Sequence, residues 1–290
     1  MKTIFKTLRI NNWVKNLIVV LPVFFAGKIF KLNNTDLLNL FHVFIAFCMA
    51  SSFIYIINDL KDIEKDKLHP TKSKRPIASG SISKLQITML VFSLILLSTL
   101  IATRIPFKAF IFIIGYVILN LFYCFGMKNI AIIDVSSISL GFVFRVLAGG
   151  IVTNTTTTHW IIILVFLLMF SIALAKRRDD LVITKDNTML FRKAQSDYSI
   201  EFIDIAKTIS FTITLMAYII YSVSEDVINR FDSEYVYITS LPVFLGIMRY
   251  IQLTVVFKKS GSPVDLLLKD KFIIATIFAW IALFIFIIYG

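Results

Sequence analysis

Very little of what soluble enzymes are built from is present in this chain. It has two cysteines, Cys48 and Cys124, both inside apolar runs, which excludes a disulfide framework and a thiolate metal cage. His42, His69 and His159 have no metal-ligand partner three or four residues on. There is no Gly-rich phosphate loop of the Walker or dinucleotide kind and no Gly-x-Ser-x-Gly elbow. Charged residues make up only 17% of the chain, below what soluble domains carry. The segment from Met1 to Asn16 is basic, but no short apolar core with a small-residue cleavage site follows it, so a cleaved leader is not expected.

What is abundant is apolar. Hydrophobic residues reach 58%, in runs of about 20 residues that recur along the whole length, so the chain is polytopic in a membrane. In lipid such runs must be helices, because every backbone polar group needs a partner within the segment. Nine spans are expected, at 14–30, 38–57, 84–103, 107–125, 131–150, 159–175, 205–222, 236–257 and 272–289. Pro22 and Gly27 interrupt the first. Ile4, Phe5 and Leu8 share one side of a short helix suited to lying on the membrane. Ser83 and Gln86 form a capping box for the third span.

The distribution of base sets orientation. With the N-terminus cytoplasmic, the outer segments carry only Lys28, Lys31, Arg104, Lys108 and Arg230 of the chain's 30 basic residues. The net charge of +12 is therefore read as loops facing anionic lipid, not as a nucleic-acid surface. A single polytopic domain, 1–290, is expected, with two long cytoplasmic loops, 58–83 and 176–204, capping an active site. Whether it forms a homo-oligomer stays open.

The stretch from Tyr55 to Gly80 carries the chemistry. On a helix running to about Leu68, at ~100° per residue, Asn58, Asp62, Tyr55, Asp66 and Asp59 share an arc of about 100°, while Glu64 faces the other way. Three carboxylates packed together repel unless something positive lies between them. Mg2+ suits the place, since it takes oxygen ligands and bridges carboxylates to substrate phosphates. Pro70 ends the helix, and Lys72, Lys74 and Arg75 follow in a loop closed by Pro76 and Gly80. Acid beside base fits a metal-bound, phosphorylated ligand. A solvated charged helix end is the structural alternative.

A second constellation closes the sixth span. Lys176, Arg177 and Asp180 share one helix face, with Arg178 and Asp179 pointing away, and Arg192, Lys193 and Tyr198 follow in the same loop. Cations at a helix end also complement its dipole, which leaves a purely structural role open. Arg145 sits in mid-span, where a charge faces a polar cavity or a partner; Asp134 can be paired elsewhere, and a purely structural ion pair is the alternative. Gly141, Gly149 and Gly150 allow close helix approach. Arg249 is read as snorkelling to the cytoplasmic end.

The pattern Asn58-Asp59-x-x-Asp62-x-x-x-Asp66 resembles the first aspartate-rich motif of the UbiA-type membrane prenyltransferase superfamily. Leu8-Arg9, Trp13 to Asn16, His69-Pro-Thr-Lys72, Arg75-Pro-Ile-Ala, Gly141 to Gly150 and Lys176-Arg177-x-x-Asp180 are similar to its decaprenyl-phosphate phosphoribosyltransferase branch. Ile10 stands where that branch tends to have Pro, and Asp180 where it has Glu. The resemblance implies an all-α integral membrane fold, nine transmembrane helices around a cytoplasm-facing cavity. It implies transfer of a 5-phosphoribosyl group from phosphoribosyl diphosphate to a polyprenyl phosphate with Mg2+. On it, Asn58, Asp62 and Asp59 hold the metal, and Asp59, Asp62, Asp66 and Arg145 are catalytic. Lys15, Tyr55, Lys72, Arg75, Lys128, Arg145, Lys176, Arg177, Asp180, Arg192 and Tyr198 bind substrate. Prenyl transfer to an aromatic acceptor by the same fold, and a transporter, are the rival readings.

Overall fold

The computed structural model describes residues 2–69, 71–185, 196–257, 266 and 269–289. Among these, every regular element is helical, as lipid requires of long apolar segments. Eight helices among the described residues are long and apolar enough to cross a membrane: Asn34–Lys61, Lys84–Ala102, Phe107–Phe125, Ile133–Val152, His159–Val182, Ile200–Ser222, Glu234–Val255 and Lys271–Ile288.

Two compact units divide the chain, Met1–Thr157 and Thr158–Gly290. The first opens with the short helix α1, Lys2–Leu8. Arg9 then takes a left-handed conformation at φ 52°, turning the chain into a 3-10 run over Ile10–Val20, followed by α2, Leu21–Phe25. The expected first span, 14–30, is thus not one α-helix but a shorter apolar stretch, Ile10–Phe25. Pro22 supplies the physical reason. It has no N–H to give to an earlier carbonyl, and its fixed φ suits the first turn of a new helix.

The long helix α3, Asn34–Lys61, is capped by Asn33, whose side chain accepts from the Asp36 N–H at 2.7 Å. It pauses at Asp62, φ −97° and ψ 11°, before α4, Ile63–Leu68. His69 beyond α4 is extended, at ψ 134°, which is what a residue preceding proline adopts; Pro70 itself lies outside the described residues. The expected capping box opens α5, Lys84–Ala102. The Ser83 hydroxyl accepts from Gln86 N–H at 3.2 Å, and the Ser83 N–H donates to Gln86 Oε1 at 3.0 Å. Helices α6, Phe107–Phe125, and α7, Ile133–Val152, complete the unit.

Its core gathers Val19, Val43, Phe47, Ala50, Ile113, Tyr116 and Ala148 from the 3-10 run, α3, α6 and α7. A Cβ at Gly149 would collide with the Val19 carbonyl, so glycine is what lets the 3-10 run lie directly on α7. That approach brings Asn16 to the interior of the unit.

The second unit contains α8, His159–Lys185; α9, Ile200–Ser222, capped by Ser199; α10, Glu225–Phe231; α11, Ser240–Val255; and α12, Lys271–Tyr289. Ala175, Phe211, Tyr250, Leu253 and Ile273 form a core between α8, α9, α11 and α12.

Candidate active site

In the first unit the carboxylates of α3 and α4 do meet positive charge, and the charge comes from the protein's own side chains. Asp59 is buried and receives two guanidinium groups: Arg9, and Arg75 at 3.0 Å. Arg75 also donates to Asp66 Oδ2 at 2.6 Å, joining α3 to α4 through the loop that follows them. The Arg9 guanidinium lies 4.7 Å above the ring of Tyr55, so the tyrosine packs beneath the ion cluster. Burial raises the Asp66 carboxyl above its ordinary value; the Arg75 guanidinium opposes that rise without cancelling it, and Asp59 adds to it.

Asn58 and Asp62 turn to a different cation. Lys128, in the 3-10 turn Met127–Asn129 between α6 and α7, is only 3% exposed. Its ammonium donates to both oxygens of Asp62, at 2.6 and 2.7 Å, and to Asn58 Oδ1 at 3.3 Å. Three oxygens from two side chains one helical turn apart therefore converge on a single cation.

Deeper in the unit, Arg145 is 5% exposed and has no carboxylate partner among the described residues. Its Nε donates to Asn16 Oδ1 at 2.7 Å and its NH1 to the Gly141 carbonyl at 2.6 Å. The guanidinium packs over the rings of Tyr116, Phe142 and Phe47, at 4.4, 5.0 and 5.4 Å. A purely structural ion pair is thus not what holds it. Asn16 is fixed in turn by donating to Cys48 Sγ at 3.2 Å. Aromatic faces and neutral oxygens stabilise this cation but leave its full charge uncancelled, which suits an anion.

The structure thus brings together Tyr55, Asp59, Asp66 and Arg75 in one cluster, and Asn58, Asp62 and Lys128 in another. Lys15 precedes Asn16 in the 3-10 run, and Lys72 acts electrostatically on Asp66. Within the closing loop, His69 Nδ1 accepts the backbone N–H of Thr71 at 3.2 Å and of Lys72 at 3.4 Å. Among the described residues no three His, Cys, Asp or Glu side chains form a closed metal cage. The donor set of Asn58 and Asp62 still fits Mg2+, which keeps waters and binds through one or two carboxylates plus substrate phosphates.

In the second unit Arg177 donates to Asp180 at 3.1 Å along α8, while Lys176 on the same helix is exposed and Tyr198 is buried against Phe202. Arg192 and Lys193 lie outside the described residues. Sequence reasoning left Arg178 pointing away from this group, and the structure gives it partners of its own. It donates to both oxygens of Asp204, at 2.9 and 3.1 Å, and to the Thr254 carbonyl at 3.1 Å. Lys207, fully buried, joins Asp204 at 2.8 Å and Thr254 Oγ1 at 3.3 Å. Asp204 and Lys207, three residues apart in an apolar helix, were the available signal. Arg249 does not snorkel freely: it pairs with Asp270 at 2.9 Å and holds that carboxyl below its usual range. Arg9 and Asn16 were likewise absent from the expected site, though both lie in the segments Leu8-Arg9 and Trp13 to Asn16 on which the resemblance was drawn.

A family model described as the UbiA prenyltransferase family matches residues 19–267. The chain belongs to the UbiA prenyltransferase family. It is a multi-pass membrane transferase with the all-helical fold of that family. A decaprenyl-phosphate phosphoribosyltransferase from Mycolicibacterium smegmatis is 29% identical over 284 residues, spanning 95% of this chain and 89% of that protein. Its counterpart from Corynebacterium glutamicum is 28% identical over 288 residues, spanning 98% and 86%. Among solved structures, a UbiA homolog from Archaeoglobus fulgidus bound to DMAPP and Mg2+ superposes with a TM-score of 0.71 at 19% identity, covering 98% of both chains. At that identity the likeness to this UbiA homolog speaks to the fold.

Proposed function

We propose that this UbiA-family transferase moves the 5-phosphoribosyl group of phosphoribosyl diphosphate onto a polyprenyl phosphate, with Mg2+, at a site facing the cytoplasm. The observation that carries the reading is the similarity, over 95% of the chain, to a decaprenyl-phosphate phosphoribosyltransferase. The basic bias of the loops supports a cytoplasmic N-terminus.

In this reaction an acceptor phosphate oxygen forms the new bond to the anomeric carbon, and the bond from that carbon to the diphosphate breaks, with both electrons leaving on diphosphate. The ribosyl centre passes through an oxocarbenium-like state. The acceptor phosphate is ionised at neutral pH, so no side chain has to take a proton. That agrees with an ion cluster in the first unit made of carboxylates, guanidinium groups and one ammonium.

Asn58 and Asp62 would hold Mg2+, which supplies charge neutralisation to the departing diphosphate. Lys128 lies against that pair and can donate to the leaving group. Arg145, a buried cation without a carboxylate, offers the donor a second anion contact, with Tyr55, Lys15 and Lys72 lining the same unit. Asp59, Arg9, Arg75 and Asp66 hold α3, α4 and the basic loop in register around them. Such preorganised charge is the larger part of catalysis where no proton moves.

Purified protein in lipid, given phosphoribosyl diphosphate and polyprenyl phosphate, forms a phosphoribosyl lipid only when Mg2+ is present. Label passing from a prenyl diphosphate into an aromatic acid, with none passing from the ribosyl donor, would refute this reading and establish prenyl transfer.

A further inference from the structure

We infer that Lys128 is an exchangeable counter-ion: it fills the metal's place on Asn58 and Asp62 in the ligand-free protein and yields it only when the donor's diphosphate arrives. The inference rests on the proposed magnesium–diphosphate reading and adds to it an order of events and a residue responsible for that order.

Charge balance is the first ground. The three carboxylates Asp59, Asp62 and Asp66 face three cations, Arg9, Arg75 and Lys128, all within the first unit. Lys72 acts on Asp66 as well, so the cluster has no excess of negative charge as it stands. A divalent cation entering alone would add two uncompensated charges to a site whose carboxylates are nearly buried, and would do so within a few ångströms of an ammonium. A diphosphate entering with it brings the missing negative charge. The metal is not favoured alone, and the two are favoured together.

The kinds of cation are the second ground. Asp59 and Asp66 are gripped by guanidinium groups, planar forks whose geometry is lost as a whole if they turn. Arg75 bridges two carboxylates at once and so ties α3 to α4. Lys128 is different. It is a compact charge on a flexible four-carbon stem, and its three donors are all spent on Asp62 and Asn58. It can swing from carboxylate to phosphate and keep its charge compensated throughout. Of the two halves of the cluster, only the Lys128 half can open without dismantling the helix junction. As it opens, the Asp62 and Asn58 oxygens that it held become free to accept a cation.

Equilibrium dialysis of the full chain in detergent, with Mn2+ as the probe metal and inorganic diphosphate present or absent, tests this without any turnover. Wild-type protein should retain Mn2+ on the order of 10- to 100-fold more tightly when diphosphate is present, after correction for the complex formed in buffer alone. Lys128→Met should bind Mn2+ by itself more tightly than wild type does, with that dependence on diphosphate much reduced. Lys128→Gln, which keeps a donor facing Asp62 but no charge, should behave the same way and provides the reading if the methionine variant does not fold. Equal Mn2+ affinity of wild type with and without diphosphate overturns the inference. So does an unchanged metal-alone affinity in the folded Lys128 variant. Asp62→Asn separates the two levels. If it abolishes Mn2+ binding while the Lys128 variant is silent, the exchange fails and the metal site stands. If it binds Mn2+ as wild type does in both arms, the metal lies elsewhere and both fall.

Discussion

Arg75 is the cation whose loss should be felt furthest from itself, because it is shared. In Arg75→Ala, Asp59 keeps Arg9, but Asp66, only 4% exposed in the native protein, loses the guanidinium at 2.6 Å. Breaking a fully buried pair costs about 3–5 kcal/mol. Arg75 is 25% exposed, so water screens part of the interaction and a loss of about 1–3 kcal/mol is expected at neutral pH. The loss should depend on pH in a fixed direction. Burial already lifts the Asp66 carboxyl above its ordinary value, and removing the opposing Arg75 lifts it further. A carboxyl that holds its proton more tightly in the folded state contributes its full stability below the ordinary carboxylate range. That contribution falls as pH rises from the unfolded value to the raised folded one. The variant should therefore lie nearest wild type in acid and furthest from it at neutral pH.

Thermal unfolding in detergent at about pH 4.5 and about pH 7.5 reads this out. The expected result is a gap of several degrees at the higher pH that shrinks at the lower. Adding Asp66→Asn to Arg75→Ala should recover most of the gap, since a neutral amide needs no counter-ion. An equal loss at both pH values, or no recovery in the double variant, would show that Arg75 stabilises the loop by packing and not by its charge on Asp66.

Three further outcomes follow from the same charges and contacts. Arg145→Met should unfold at or above the wild-type temperature, because it removes a desolvated cation with no carboxylate partner, yet lose about 100-fold or more in turnover; near-normal turnover would exclude Arg145 from the substrate site. Asp204→Asn leaves the buried Arg178 and Lys207 without their shared carboxylate and should destabilise by about 2–3 kcal/mol, with a smaller loss when Lys207→Met is added. Equal losses in the single and double variants would refute that coupling. Gly149→Ala should sharply lower the yield of folded protein through its collision with the Val19 carbonyl, whereas Gly126→Ala, with open space around it, should not; matched yields would disprove the close approach.

How much of this was legible in the sequence depends on the distance over which each feature acts. Helical periodicity placed Asn58 and Asp62 on one face, and the composition alone required membrane helices, because both follow from rules that operate within a few residues. The interruption of the first expected span was visible in Pro22, but not that the chain would tighten into a 3-10 run and lie on Gly149. The ion pairs were hidden for a different reason. Arg9 meets Asp59 and Lys128 meets Asp62 across separations of 50 and 66 residues, and no local pattern links one charged residue to another so far away. Periodicity suggested three carboxylates awaiting a metal; packing delivered three cations to them first. Arg145 shows the same division. Its depth in a span announced a charge in need of company, but the company is an amide and a backbone carbonyl, groups that carry no charge and leave no mark in a charge pattern. Among the described residues of the first unit, no carboxylate cancels the charge of Arg145, and that imbalance points to an anion as its partner.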